Sequence, residues 1–299
     1  MPRTSDIVLG GRIMAMLKGD NGSGKTVLAA SFPGPIKFFM FDGSKLDVVK
    51  LFFPNRTDIE YDIYGARETR FKDADGMTVH IKSLVQFAEE FNKLQDYCPW
   101  ATVVLDSFTS FSVTCVTFQL DVRSASEQSN KNPLKSKGGL VIPDFDEYKG
   151  ETTLVTQTLD VSKVLPCHVI WTAHPLPKLD TSGSGAGMKV TKTSSIAAYG
   201  AKTAAMAPSY FNEIWHLETR ADSSVAGGRQ RIIHVQTIGE QFAKTALPLP
   251  PSFDITNKPG FAEVKKFLAE HNVKLQEAVT SKAAQEAAHA EKEEIRKIV

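Results

Sequence analysis

Along the chain, short apolar and β-branched runs alternate with segments that repeat at helical spacing. Arg12–Leu17 (RIMAML), Ile36–Phe41 (IKFFMF), Thr102–Leu105 (TVVL) and His168–Thr172 (HVIWT) are short and largely without polar alternation. Runs of this kind predict strands buried on both faces. Between the second and third, Leu84, Phe87, Phe91 and Leu94 recur three and four residues apart, which predicts a helix over Ser83–Tyr97. Phe108–Val122 and Asp146–Leu165 are expected to be helical too, with Gly150 weakening the start of the second. Strands separated by helices predict a mainly parallel sheet flanked by helices, an α/β fold. Later, Phe211–Leu217 and Arg231–Gln236 flank the turn-rich ADSSVAGGR and predict an antiparallel C-terminal hairpin.

Three stretches interrupt the alternation. Tyr61–His80 is polar and predicts a small hairpin excursion. Val122–Pro143 reads as a loop rich in Ser, Asn, Lys and Gly, and Pro175–Ala205, with its SGSGAG, as a long flexible loop. After Pro250 and Pro251 the chain becomes Ala-, Glu- and Lys-rich, and Phe261–Val299 carries seven basic and seven acidic side chains. The expected division is a main domain over 1–255 and a solvated helical tail over 256–299.

Composition narrows the class. With 299 residues, 42% of them hydrophobic, the chain can bury a full core without staples. That excludes global disorder, a collagen and a disulfide scaffold. Cys98, Cys115 and Cys167 form no CxxC pair and are expected to be plain thiols. A net charge of +1 excludes a protein that coats nucleic acid through bulk charge. No apolar run approaches the roughly 20 residues of a membrane span, and MPRTSDIVLGG has no signal-peptide core. The expectation is a soluble, cytoplasmic protein without a membrane partner.

The chemistry is carried first by Gly19-Asp20-Asn21-Gly22-Ser23-Gly24-Lys25-Thr26, which fits GxxxxGK[ST]. It follows an expected strand and opens the apolar segment Val27–Ser31, the context in which that motif cradles phosphate. Glycines let the backbone wrap phosphate oxygens, and N–H groups at a helix N-terminus supply positive potential. Lys25 is then expected to reach the β- and γ-phosphates of ATP, and Thr26 to hold Mg²⁺. An apolar strand ending in Asp106 supplies the second part, a carboxylate at the sheet edge facing the metal. Ser107 follows it, so the pattern of motors with a basic Glu at that position does not fit. His174, after the strand HVIWT, is the candidate sensor of the γ-phosphate, on a strand expected beside that of Asp106.

The residues GDNGSGKT, TVVLDS and LPCHVIWTAHP, with MAPSYFNEIWHLETR and FAKTALPLP in support, resemble the RecA-like ATPases. Within them the chain resembles the phage single-strand annealing and recombination ATPases of the Sak type, over about Arg12 to Pro250. The resemblance implies a RecA-like core, Mg-ATP between neighbouring subunits of a ring or filament, and single-stranded DNA along inner loops. It also implies the host cytoplasm as location and a single-strand-binding protein as a possible further partner. It points to Asp42 in FMFDGS as catalytic acid, with Asp47 and Glu147 as weaker candidates. Lys244 in FAKT falls where related proteins place a basic finger across the subunit interface. The chain offers no obvious arginine finger acting within one subunit, so self-assembly is expected.

Local charge bears on DNA. Val122–Pro143 holds Arg123, Lys131, Lys135 and Lys137 against Glu127, a net +3. Pro175–Ala205 holds Lys178, Lys189, Lys192 and Lys202 against Asp180, also +3. Arg123, Lys131, Lys135, Lys137, Lys189 and Lys192 are therefore the candidate contacts to a DNA backbone, with Tyr199 the main stacking candidate. Two other readings remain open: a RecA-fold ATPase acting on a protein, as a loader or assembly motor, and a small-molecule phosphotransferase.

Overall fold

The computed structural model describes residues 11–42, 47–73, 76–125, 136–137, 140–182, 189–224, 228–239, 241–256 and 260–273. In chain order the elements begin with β1 (Met14–Gly19), α1 (Lys25–Ala30), β2 (Ile36–Met40), α2 (Asp47–Phe52) and β3 (Ile59–Gly65). Next come β4 (Thr69–Lys72), β5 (Thr78–Ser83), α3 (Leu84–Lys93), β6 (Thr102–Asp106) and α4 (Phe108–Ala125). The two-residue strands β7 (Ser136–Lys137) and β8 (Leu140–Val141) precede α5 (Phe145–Val164) and β9 (His168–Ala173). The ribbon strands β10 (Pro175–Ser182) and β11 (Lys189–Ile196) lead to α6 (Ala201–Met206). The chain closes with β12 (Glu213–Ala221), β13 (Arg229–His234), β14 (Ser252–Asp254) and a helix, α7, over 260–273.

Ten of these strands form one sheet in the order β14-β13-β12-β1-β9-β6-β2-β3-β5-β4. From β12 across to β5 every neighbouring pair is parallel. Antiparallel strands occupy the two flanks, β13 and β14 on one side and β4 on the other. This is the mainly parallel, helix-flanked α/β sheet expected from the sequence, with its C-terminal antiparallel hairpin.

Successive residues of a strand face opposite sides, so each central strand feeds two cores. Leu17, Val104 and Ile170 pack on one face with Leu28 of α1 and Val49 of α2. Met16, Leu105 and Trp171 pack on the other with Phe87, Phe111 and Leu159 of α3, α4 and α5. Both faces are covered, which is why these runs carry no polar alternation. Helix starts are set locally: Ser83 and Gln86 form a capping box on α3, and Asp144 and Glu147 form one on α5.

Two stretches differ from their expectation. Tyr61–His80 is not an excursion alone, because its first residues belong to β3, which pairs in parallel with β2. This strand is polar because it nears the sheet edge, where Glu60 and Tyr61 are exposed. Pro175–Ala205 is not one long loop. It holds the antiparallel ribbon β10–β11, in full register from Pro175–Ile196 to Ser182–Lys189, and then α6. A two-stranded ribbon outside the main sheet leaves little hydrophobic period to read. Beyond the sheet, α7 lays Phe261, Val264 and Leu268 into the core, and the Phe261 ring stacks 4.1 Å from Phe32.

Candidate nucleotide site

The site forms where β1, β9, β6 and β2 end on the same edge of the sheet. β1 stops at Gly19, where a Cβ would lie 2.5 Å from Ser23 Oγ and 2.6 Å from the Leu217 carbonyl. Only glycine fits there. Gly22 and Gly24 have φ of 76° and 93°, the left-handed region in which glycine has no steric penalty. The loop thereby turns straight into α1, whose first residue is Lys25.

Lys25 is buried, and its Nζ donates to the carbonyls of Gly19 (2.7 Å) and Asp20 (2.9 Å), folding back across its own loop. Burial pulls its pKa down to about 8, with Asp106 and Asp20 opposing. Thr26 Oγ1 donates to Asp106 Oδ2 at 2.7 Å. Asp106, 4% exposed at the end of β6, also accepts a hydrogen bond at Oδ1 from the Thr172 hydroxyl. Burial pushes the Asp106 pKa up. The Thr172 and Thr26 hydroxyls and Lys25 pull it down, and the nearby charge of Asp42 adds to the rise.

β9 lies between β1 and β6, so its tip reaches both motifs at once. His174, the next residue, is half-buried, and its backbone N–H donates to Thr109 Oγ1 (3.2 Å). Burial lowers its pKa first and Lys25 second, against Asp42 and Asp20. The imidazole is therefore neutral near pH 7. Lys25, Thr26, Asp42, Asp106 and His174, drawn from four separate segments, form one electrostatic cluster.

The other sequence candidates lie elsewhere. Lys244 pairs through its backbone with Ile214, which stands opposite Met16, towards the end of β1 away from the loop. Asp47 begins α2, and Glu147 is buried in the α5 capping box, where it also accepts from Arg123 Nη1 at 2.8 Å. Lys131 and Lys135 fall outside the described residues. Lys137, Lys189 and Lys192 fall on described strands, but their side chains do not.

Thr172 and Thr109 were missed by the sequence reading. Thr172 carried a usable signal, a hydroxyl near the end of an otherwise apolar buried strand. Thr109 sits in the first turn of a helix, where threonine is unremarkable.

Chemically, the cluster offers backbone donors and a buried ammonium for phosphate, and a hydroxyl–carboxylate pair for a hard cation. A hydroxyl and a carboxylate 2.7 Å apart fit Mg²⁺, which takes oxygen ligands and keeps most of its shell from substrate and water. Among the described residues no group of three or more His, Cys, Asp or Glu side chains could hold a metal, and no helix is long and apolar enough to cross a membrane.

A family model described as an AAA domain matches residues 12–247. No curated protein matches the chain. Among solved structures it is similar to a KaiC-like protein, PH0186, from Pyrococcus horikoshii OT3. That similarity has 11% identity and a TM-score of 0.42, over 83% of this chain and 87% of the other.

Proposed function

The chain belongs to the AAA-domain family and is a P-loop ATPase of RecA-like fold, and from that premise we propose that it hydrolyses Mg-ATP while acting on single-stranded DNA. The convergence of Lys25, Thr26 and Asp106 at one sheet edge supports the ATPase reading. Lys25 and the loop N–H groups bind the phosphates, and Lys25 exchanges its two carbonyl acceptors for phosphate oxygens. Thr26 and Asp106 would hold Mg²⁺, which would supply charge neutralisation at the phosphoryl group. Thr172 keeps the Asp106 carboxylate in place. His174, neutral, donates or accepts at the γ-phosphate end, and Asp42 stands nearby as the candidate base for water.

For the partner, support comes from the two segments of net +3, one beginning in the last turn of α4 and one following His174. A sequence-tolerant cationic path suits a phosphate backbone. Of its candidate residues, Arg123 is already engaged by Glu147, so the weight falls on the lysines. The test is steady-state ATP turnover with and without a single-stranded oligonucleotide. Lys131, Lys135 and Lys137 are then replaced together by Ala and binding is followed by anisotropy at several salt concentrations. Turnover should rise with DNA, and each lost phosphate contact should reduce the log–log salt slope by roughly 0.7. No stimulation and no change in slope would move the reading to a protein partner.

A further inference from the structure

β13 runs antiparallel to β12 and begins at the sheet edge that carries the phosphate loop, with Arg231 opposite Thr219. From there the Arg231 side chain crosses the N-terminus of α1. A Cβ built on Gly24 would lie 3.5 Å from Arg231 Cδ and 3.6 Å from its Nε. The guanidinium continues over the Phe52 ring, 5.4 Å from its centroid, and the backbone N–H is held by Thr256 Oγ1 at 2.9 Å. Among the described residues its Nε–H is buried without an acceptor, and the guanidinium forms no ion pair with a carboxylate. Arg56, Arg67, Arg123 and Arg220 each hold a carboxylate. Leaving a buried donor of a charged group unpaired costs free energy, and here the gap is beside the glycine-rich phosphate loop.

We infer that Arg231 is a nucleotide-binding residue, its guanidinium donating to phosphate oxygens of the bound triphosphate as a second cation from the same chain. The inference rests on the ATP-site reading above. Phe52 holds the guanidinium by a cation–π contact until the anion arrives, and Gly24 leaves the side chain room to lie against the loop. Arg231 approaches from the β13 side, whereas Asp106 and His174 lie across β1 on the β9 and β6 side. It therefore adds to Lys25 without replacing a cation at the γ-phosphate end.

The experiment compares wild type, Arg231→Gln and Arg231→Lys in the full chain. Calorimetry measures affinity for Mg-ATP and for inorganic tripolyphosphate, and melting temperatures are taken with and without ATP. Arg231→Gln should bind both probes about 10- to 100-fold more weakly, the worth of charge-assisted hydrogen bonds. Arg231→Lys should recover part of the loss. Without ligand, Arg231→Gln should melt within a few degrees of wild type, since only the Phe52 contact is lost. Binding of ATP by Arg231→Gln within about twofold of wild type would overturn the inference and leave the ATPase reading standing. A large fall in the ligand-free melting temperature with an undiminished ATP-induced shift would assign Arg231 to the fold and also overturn it. A wild-type protein that binds neither probe would overturn both readings.

Discussion

Thr172→Val isolates what the neighbouring strand contributes to the Asp106 site. Thr172 is fully buried, and its hydroxyl is one of the two that Asp106 accepts from, the other being Thr26 at 2.7 Å. Valine keeps the volume but turns a methyl towards a buried carboxylate, which has no water to replace the lost donor. A hydrogen bond to a charged group contributes about 1.5–3 kcal/mol, so folding stability should fall by that order. At roughly 2–4 °C per kcal/mol for a chain of this size class, the melting temperature should drop by about 3–12 °C. The freed carboxylate swings away from Thr26, and ATP turnover should fall about tenfold or more. Affinity for ATP, set by Lys25 and the loop, should change by no more than about threefold, because neither touches Thr172. Thr172→Ser retains the hydroxyl and should recover most of both losses. Calorimetric binding, turnover and thermal melts on the three proteins check this. A valine variant as stable and as fast as wild type would refute the reasoning, and a serine variant as impaired as valine would show that methyl packing is what matters.

Three other outcomes are expected. Lys25→Ala removes the buried ammonium from the loop, so Mg-ATP affinity should fall about 100-fold or more, and titration calorimetry giving the wild-type value would move the phosphate site elsewhere. Lys244 lies away from its own loop, so if it acts on a neighbouring copy, turnover should rise faster than linearly with protein concentration. Strictly linear turnover from a species that light scattering shows to be a monomer would exclude that role. For His168, burial, then Lys265 and Arg12, lowers the pKa from 6.5 to about 4, and its Nδ1 accepts the Ile13 N–H at 3.1 Å. Between those two pH values the unfolded chain binds a proton that the folded chain does not, so stability rises with pH across the window and is lost as pH falls through it. The loss is about 1–2 kcal/mol after discounting for solvent. His168→Gln should flatten melting temperature against pH between about 6.5 and 4, and parallel curves would assign the acid limb to other groups.

The sequence by itself determined the parts whose physics is local. GDNGSGKT needs no distant residue to be legible, because its glycines, lysine and threonine are consecutive and the turn into α1 is built from them. The buried strands β1, β2, β6 and β9 were legible because a strand covered on both faces must be apolar along its length. Asp106 and His174 followed as polar residues ending such strands, as did the hairpin β12–β13 from its turn.

Tertiary structure decided what depends on strand order and on residues far apart in the chain. The sequence reading put β9 beside β6, but only the sheet shows it lying between β1 and β6. That position lets the Thr172 hydroxyl reach Asp106 and lets His174 share one field with Lys25 and Asp42. The ribbon β10–β11 and the strand β3 escaped the sequence reading because their runs carry little hydrophobic period, and hydrophobic period reports burial rather than backbone hydrogen bonding. Arg231 was illegible for another reason. Its place beside Gly24 is made by β13 folding back along β12 while α1 packs on the same face, and no spacing along one strand records a meeting between two elements that the sheet alone brings together.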